Sequence, residues 1–251
     1  MQSAGRWPAA LKNNNFPGTF MPKTILAIGA HYDDCPYGIP GILLKAVRKN
    51  YRVVVLSIIG DYRNWKPVRG RAQQMLDGTR EICARFGTEI RFLDYASMRY
   101  DVNLETKRAV AEVVAEVQPD IAFMLWPNDT HADHEIASAL SKVALRHGDR
   151  VLENPLQAFK RPSQIYMFDN GPRHTIGFEP DTFVDVTDEW PRAMDWLGQL
   201  MALVRGEKYD PTFLGSAQQS KEALARYRGI TCGVKYAEAV RSLSASPGDL
   251  F

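Results

Sequence analysis

Three observations predict an α/β fold built on a mostly parallel sheet with helices on both faces. Short β-prone runs recur along the chain, segments of helical period separate them, and three of the first four runs are apolar almost end to end. Strands buried on both faces read as continuous apolar runs, and a parallel pair needs a long crossover, usually a helix. Each crossover is expected to be right-handed.

The first strand is predicted over residues 24–28, and a helix over 41–49 presents Ile42, Leu43, Ala46 and Val47 on one face. RVVVLSII (52–59) is the second strand. The helix over 71–86 carries Met75, Ile82 and Phe86 on one side and stops at Gly87, the residue that most readily takes the left-handed backbone after a helix. EIRFLDY (89–95) is the third strand. A helix over 104–117 presents Val110, Val113, Val114 and Val117 and ends before Pro119. DIAFMLW (120–126) is the fourth strand, and 133–147 the fourth helix. A looser section then offers strands over 165–168 and 182–186 and helices over 188–204 and 217–227, an appendage of strands and helices to the same domain. No repeat, low-complexity tract or linker divides the chain. One domain is expected over 23–251, preceded by an arm over 1–22.

Composition narrows the function classes. The 251 residues are 45% apolar and 24% charged, ordinary for a soluble globular protein. A formal net charge of +2 demands neither nucleic acid nor a membrane surface as partner. No apolar run approaches the ~20 residues that span a bilayer. Residues 1–21 carry Asn13, Asn14, Asn15 and two prolines and no apolar leader core, so they read as a surface arm of a cytoplasmic protein. The three cysteines, Cys35, Cys83 and Cys232, are too few and scattered for a disulfide framework and favour a reducing compartment.

The chemistry is concentrated in two clusters. His31-Tyr32-Asp33-Asp34 follows the first strand, and His131-Ala132-Asp133-His134 follows the fourth. In an open parallel sheet, ligands gather outside the carboxyl ends of the strands. Imidazole and carboxylate suit Zn²⁺ or a similar divalent ion, and a catalytic zinc takes about three protein ligands while keeping a position for water. Asp33 and Asp34 are expected to diverge, as neighbours at a strand end do, one facing the metal and one the water. His131 and His134, one helical turn apart, can reach the same site. A lone Asp-Asp is usually a turn or a cap, and a lone His-x-x-His is usually solvated; two such clusters behind parallel strands point to a metal site.

At these residues the chain resembles the LmbE-like, or PIG-L, family of zinc-dependent de-N-acetylases. That family carries Ala-His-Pro-Asp-Asp-Glu and, later, Pro-x-Asp-x-His-x-Asp-His. The first stands here as Ala30-His31-Tyr32-Asp33-Asp34-Cys35, and the second as Pro127-Asn128-Asp129-Thr130-His131-Ala132-Asp133-His134. The resemblance implies His31, Asp34 and His134 as zinc ligands, Asp33 as general base and His131 as second acid/base or oxyanion partner. It implies a Rossmann-like fold, with Asp129 and Asp133 supporting the ligands from behind. Gly233-Val234-Lys235-Tyr236-Ala237-Glu238 resembles the family's closing Tyr-x-Glu segment. Two departures stand out: Tyr32 replaces Pro, and Cys35 replaces Glu, which removes a carboxylate near the metal. Cys35 is expected to be a small buried residue rather than a soft ligand.

Members of the family also place polar residues on the loop after the second strand. Here Asp61 and Arg63 on that loop, with an aromatic residue between them, and Arg99 after the third strand are the candidate substrate contacts. His147 and His174 are expected to serve as surface or loop residues. The leading expectation is hydrolysis of an N-acetyl group on a sugar or sugar conjugate, a small-molecule partner, with homo-oligomerisation left open. A zinc hydratase acting on an unsaturated dicarboxylate, to which the resemblance extends, is the alternative. A carbohydrate-binding protein with a structural metal is a third. A dinucleotide-binding protein is disfavoured because no Gly-x-Gly-x-x-Gly follows the first strand.

Overall fold

The computed structural model describes residues 22–153 and 159–244, so the expected arm falls outside the described residues except for its last position. Seven strands form one sheet. They are β1 (Thr24–Gly29), β2 (Arg52–Asp61), β3 (Glu89–Ala96), β4 (Ile121–Leu125), β5 (Gln164–Phe168), β6 (Thr182–Asp185) and β7 (Ala237–Ser242), in the spatial order β3-β2-β1-β4-β5-β7-β6. The first five are parallel, with Ile25 opposite both Val53 and Ile121. β7 runs antiparallel to β5 and β6, so the C-terminal appendage extends the same sheet.

Strand order sets where a ligand can lie. The chain moves outward from β1 through β2 to β3, then returns to add β4 and β5 on the other side of β1. Right-handed crossovers therefore send α2 (Pro40–Arg48) and α3 (Ala72–Arg85) to one face, and α4 (Leu104–Val117) and α5 (Ala132–Leu152) to the other. With helices diverging to opposite faces, a crevice opens between the carboxyl ends of β1 and β4. The core explains why these strands are so apolar: Leu26, Ala27, Ile28, Val54, Val55 and Leu56 are fully buried between the two helix layers. On the α3 side, α6 (Trp190–Arg205) adds a third helix, and Phe86 stacks on its Trp196 with ring centroids 5.6 Å apart.

Gly87 does what its position predicts. At φ +80° it reverses the chain after α3, its N–H donates to Ala84 O, and the Thr88 N–H donates to Cys83 O. The helix expected over 133–147 kinks at His147 (φ −136°) and then continues to Leu152. Besides a 3₁₀ turn at Lys66–Val68, one α-helix and one strand were not foreseen. α1 (Asp34–Gly38) is a single short turn of helix directly after β1, and β7 contains Glu238 and Arg241, which break its apolar pattern. Glu238 belongs inside nevertheless. Its carboxylate accepts from the Gly41 and Ile42 N–H groups at the start of α2 and lies 3.1 Å from Lys221 Nζ on α7 (Ser216–Cys232). Both charges are buried, and a buried charge persists when it is paired and hydrogen-bonded.

Candidate active site

Gly29 ends β1, and a Cβ built there would lie 2.7 Å from Asp34 Cβ. Only glycine leaves room for Asp34 to fold back beneath the strand end. Asp34 Oδ2 then accepts from the Ala30 and His31 N–H groups at 2.7 and 2.8 Å, which fixes the carboxylate and leaves Oδ1 facing inward. Asp33 precedes α1 as its N-terminal flanking residue, while Asp34 is the first residue of that helix. The pair therefore sits at the turn into α1 and not on the pleat of a strand end, which corrects the expectation drawn from the pleat. His131 is likewise not helical: it flanks the start of α5 in extended backbone (φ −100°, ψ 115°), with His134 in the first turn. Their rings stack, with centroids 4.7 Å apart.

His31, Asp34 and His134 each offer one ligand atom within 4.8 Å of the others. His134 Nε2 lies 3.3 Å from Asp34 Oδ1, and His31 Nδ1 lies 3.6 Å from Asp34 Oδ2. The opposite nitrogen of each ring meets a different carboxylate: His31 Nε2 is 3.4 Å from Asp133, and His134 Nδ1 is 3.1 Å from Asp129. A carboxylate behind each imidazole orients the ring and raises its basicity, as around metal-bound histidines. These carboxylates are themselves anchored. Ser97 Oγ and the Met98 N–H donate to Asp133, and the His131 N–H donates to Asp129. Two imidazoles and one carboxylate, each braced, fit a divalent metal of the zinc type.

Charge follows geometry. Burial would raise the Asp34 carboxyl, but His134 and His31 outweigh it and hold it well below the usual carboxylate range. Burial disfavours charge on His31 and His134, yet Asp34, with Asp133 behind one ring and Asp129 behind the other, lifts them to about 10 and about 9. Asp33 is pushed up to about 6 by burial and by the charge on Asp34. His131 is lowered by burial and by the two neighbouring imidazoles. Its Nδ1 accepts from the Asp133 N–H at 3.3 Å, which puts the proton of the neutral ring on Nε2.

The cluster forms the floor of a cavity of about 570 Å³. Tyr32, at the position where the family has Pro, is buried, and its ring packs with Tyr62 and Trp65, at 5.9 and 6.2 Å, into an aromatic wall. Asp61 and Arg99 also line the cavity. Arg63 is not among the lining residues. It turns back onto Asp61 through its backbone N–H, Nε and Nη2 at 3.0, 2.9 and 2.7 Å. Cys35 is fully buried, its thiol pushed well up by burial, and it belongs to none of the ligand clusters among the described residues.

Sequence reasoning passed over three cavity residues after β5: Asn170, Arg173 and His174. Asn170 Nδ2 donates to Asp34 Oδ1 at 2.7 Å and sits 3.4 Å from His134 Nε2. His174 is exposed in a loop, as expected, but its ring lies 5.6 Å from that of His134. The signal was available, because these residues follow a parallel strand. Asp169-Asn170-Gly171 instead reads as an ordinary turn.

The chain is similar to known proteins in sequence and in fold. Residues 26–145 match the family model "PIG-L: GlcNAc-PI de-N-acetylase". The diacetylchitobiose deacetylase of Thermococcus kodakarensis is 25% identical over 232 residues, spanning 87% of this chain and 82% of that protein. Two crystal structures share the fold. The 4-carboxy-2-hydroxymuconate hydratase of Pseudomonas putida KT2440 has a TM-score of 0.74 and 18% identity, covering 91% of this chain and 99% of that one. The N,N'-diacetylchitobiose deacetylase of Pyrococcus horikoshii, complexed with its inhibitor, has a TM-score of 0.71 and 19% identity over 88% of this chain and 84% of that one. Both acid/imidazole clusters, at the switch point of the sheet, fall inside residues 26–145, the segment that matches the PIG-L (LmbE-like) family model.

Proposed function

We propose that the protein is a metal-dependent hydrolase that removes an N-acetyl, or other N-acyl, group from a sugar or sugar conjugate. The observation that carries this reading is Asp33. It is a carboxylate beside the His31/Asp34/His134 triad, lining the cavity, with its pKa raised to about 6. A triad that only held a structural metal would have no use for such a neighbour. His31, Asp34 and His134 would hold the ion, Zn²⁺ being the one their donor atoms suit best. A divalent ion bound there supplies a Lewis acid that activates water and polarises an acyl carbonyl.

The residues divide the remaining work. Asp33 is ionised near neutral pH yet basic enough to take the proton of the attacking water. As the C–N bond breaks, it returns that proton to the amine nitrogen, so the products are a carboxylic acid and a free amine. His131, neutral and protonated on Nε2, donates to the acyl oxygen as negative charge develops there. Asp129 and Asp133 keep the two ligand imidazoles oriented, and the aromatic wall of Tyr32, Tyr62 and Trp65 offers an apolar face to a sugar ring.

The test is acetate release from a panel of N-acetylated sugars, with and without a chelator, assayed beside hydration of unsaturated dicarboxylates. Chelator-sensitive acetate release that falls ~10²–10⁴-fold in Asp33→Asn is expected, the range for losing a general base. Hydration without any acetate release would move the protein to the lyases.

A further inference from the structure

Two arginines on the cavity wall have no partner. Arg99 and Arg173 both line the cavity and are both exposed, and among the described residues neither guanidinium makes a hydrogen bond or an ion pair. Two acids at the carboxyl ends of strands in the same sheet, Asp61 and Asp169, are already engaged. Asp61, whose carboxyl is influenced by the charge on Arg99, is held by the three hydrogen bonds from Arg63, which lies off the cavity. Asp169, four residues before Arg173 on the same strand-end loop, is bound by buried Arg228 at 2.6 Å. Arg63 and Arg228 thus leave Arg99 and Arg173 as surplus positive charge facing the cavity.

Topology places the pair on either side of the chemistry. Arg99 follows β3 and Arg173 follows β5, whereas the triad follows β1 and β4, and the strands lie in the order β3-β2-β1-β4-β5. A guanidinium presents a planar fork of donors that matches a carboxylate or a phosphate, and it stays charged at any physiological pH. We infer that the substrate is an anion, an N-acylated sugar or similar polar amine bearing a carboxylate or phosphate, and that Arg99 and Arg173 determine this specificity. The inference rests on the deacylase reading only for the group that reacts; the anion preference is a separate property of the cavity wall.

The two can be tested apart. N-acetylglucosamine, its 6-phosphate and its 3-O-lactyl ether are titrated into the zinc-loaded protein by calorimetry, and acetate release is followed on the same three compounds. The phosphate and carboxylate arms are expected to bind roughly 10-fold or more tighter than the neutral sugar, the scale of hydrogen bonds to a charged group. Which acid gains more identifies the anion. In Arg99→Gln/Arg173→Gln the ratio of anionic to neutral affinity should collapse toward one, and each single variant should lose part of it. Anion-selective, arginine-dependent binding without acetate release would uphold the inference and overturn the deacylase reading. A ratio near one in the wild type, a ratio that survives both substitutions, or no binding of either acid at millimolar concentration would overturn the inference.

Discussion

Asn170 donates its side-chain amide to Asp34 Oδ1, the inward-facing carboxylate oxygen, at 2.7 Å, and lies 3.4 Å from His134 Nε2. A residue from the end of β5 thus braces the Asp34 carboxylate, proposed as a metal ligand, that follows β1. Hydrogen bonds behind a metal ligand typically contribute 10–100-fold in metal affinity. Asn170→Ala is therefore expected to weaken zinc binding by roughly that factor in a competition titration. Unchanged affinity would show that the backbone N–H groups of Ala30 and His31 suffice to fix Asp34.

Metal uptake should release protons. His31 and His134 are raised to about 10 and about 9 in the metal-free site, so both imidazoles carry a proton at neutral pH that a metal must displace. Because these values lie above the ordinary imidazole range, affinity should climb as pH rises from 6 toward 9 and fall as it drops. Calorimetry in buffers of different ionisation enthalpy measures the release directly, and close to two protons per ion are expected at pH 7. No buffer dependence would mean that the rings are neutral before the metal arrives.

Cys35 is fully buried and outside the ligand clusters, so its exchange should affect stability rather than metal. Cys35→Ser places a hydroxyl in the same enclosed position, and an unpaired one costs about 1–3 kcal/mol. Denaturant unfolding should show that loss with zinc content intact. Loss of zinc would make the thiolate a ligand.

Much of this molecule was legible from spacing alone. The inner parallel strands β1, β2 and β4 are apolar because both faces are covered, and the two chemical clusters directly follow β1 and β4. What escaped was set by tertiary contact. β7 hides because Glu238 makes it look solvated, whereas the Lys221 ammonium and two amides at the start of α2 satisfy the carboxylate inside the protein. Asn170 looks like a turn residue until β5 is seen two places from β1 in the sheet. Arg63 looks like a substrate residue until its side chain folds onto Asp61. Asp33 and Asp34 read as a strand end because α1 is too short for its period to be visible.

The Glu238 network gives a stability prediction. Removing one partner of a buried ion pair leaves the other uncompensated and costs about 3–5 kcal/mol. Glu238→Ala should lose that much in denaturant unfolding, because Lys221 would stay buried with only Gly38 O to accept from it. Glu238→Ala combined with Lys221→Met should recover part of the loss. A single variant as stable as the wild type would show that the pair is dispensable to the packing of β7 and α7.

The metal content of purified variants, measured by elemental analysis, separates the proposed ligands from the proposed base. The wild type is expected to hold about one zinc or similar divalent ion per chain, as a three-ligand catalytic site does. Asp33→Asn should keep that ion, and Asp34→Asn and His134→Ala should lose it. Full occupancy in Asp34→Asn with loss in Asp33→Asn would contradict the division of the two carboxylates, and full occupancy in a His31/Asp34/His134 triple-alanine variant would contradict the site itself.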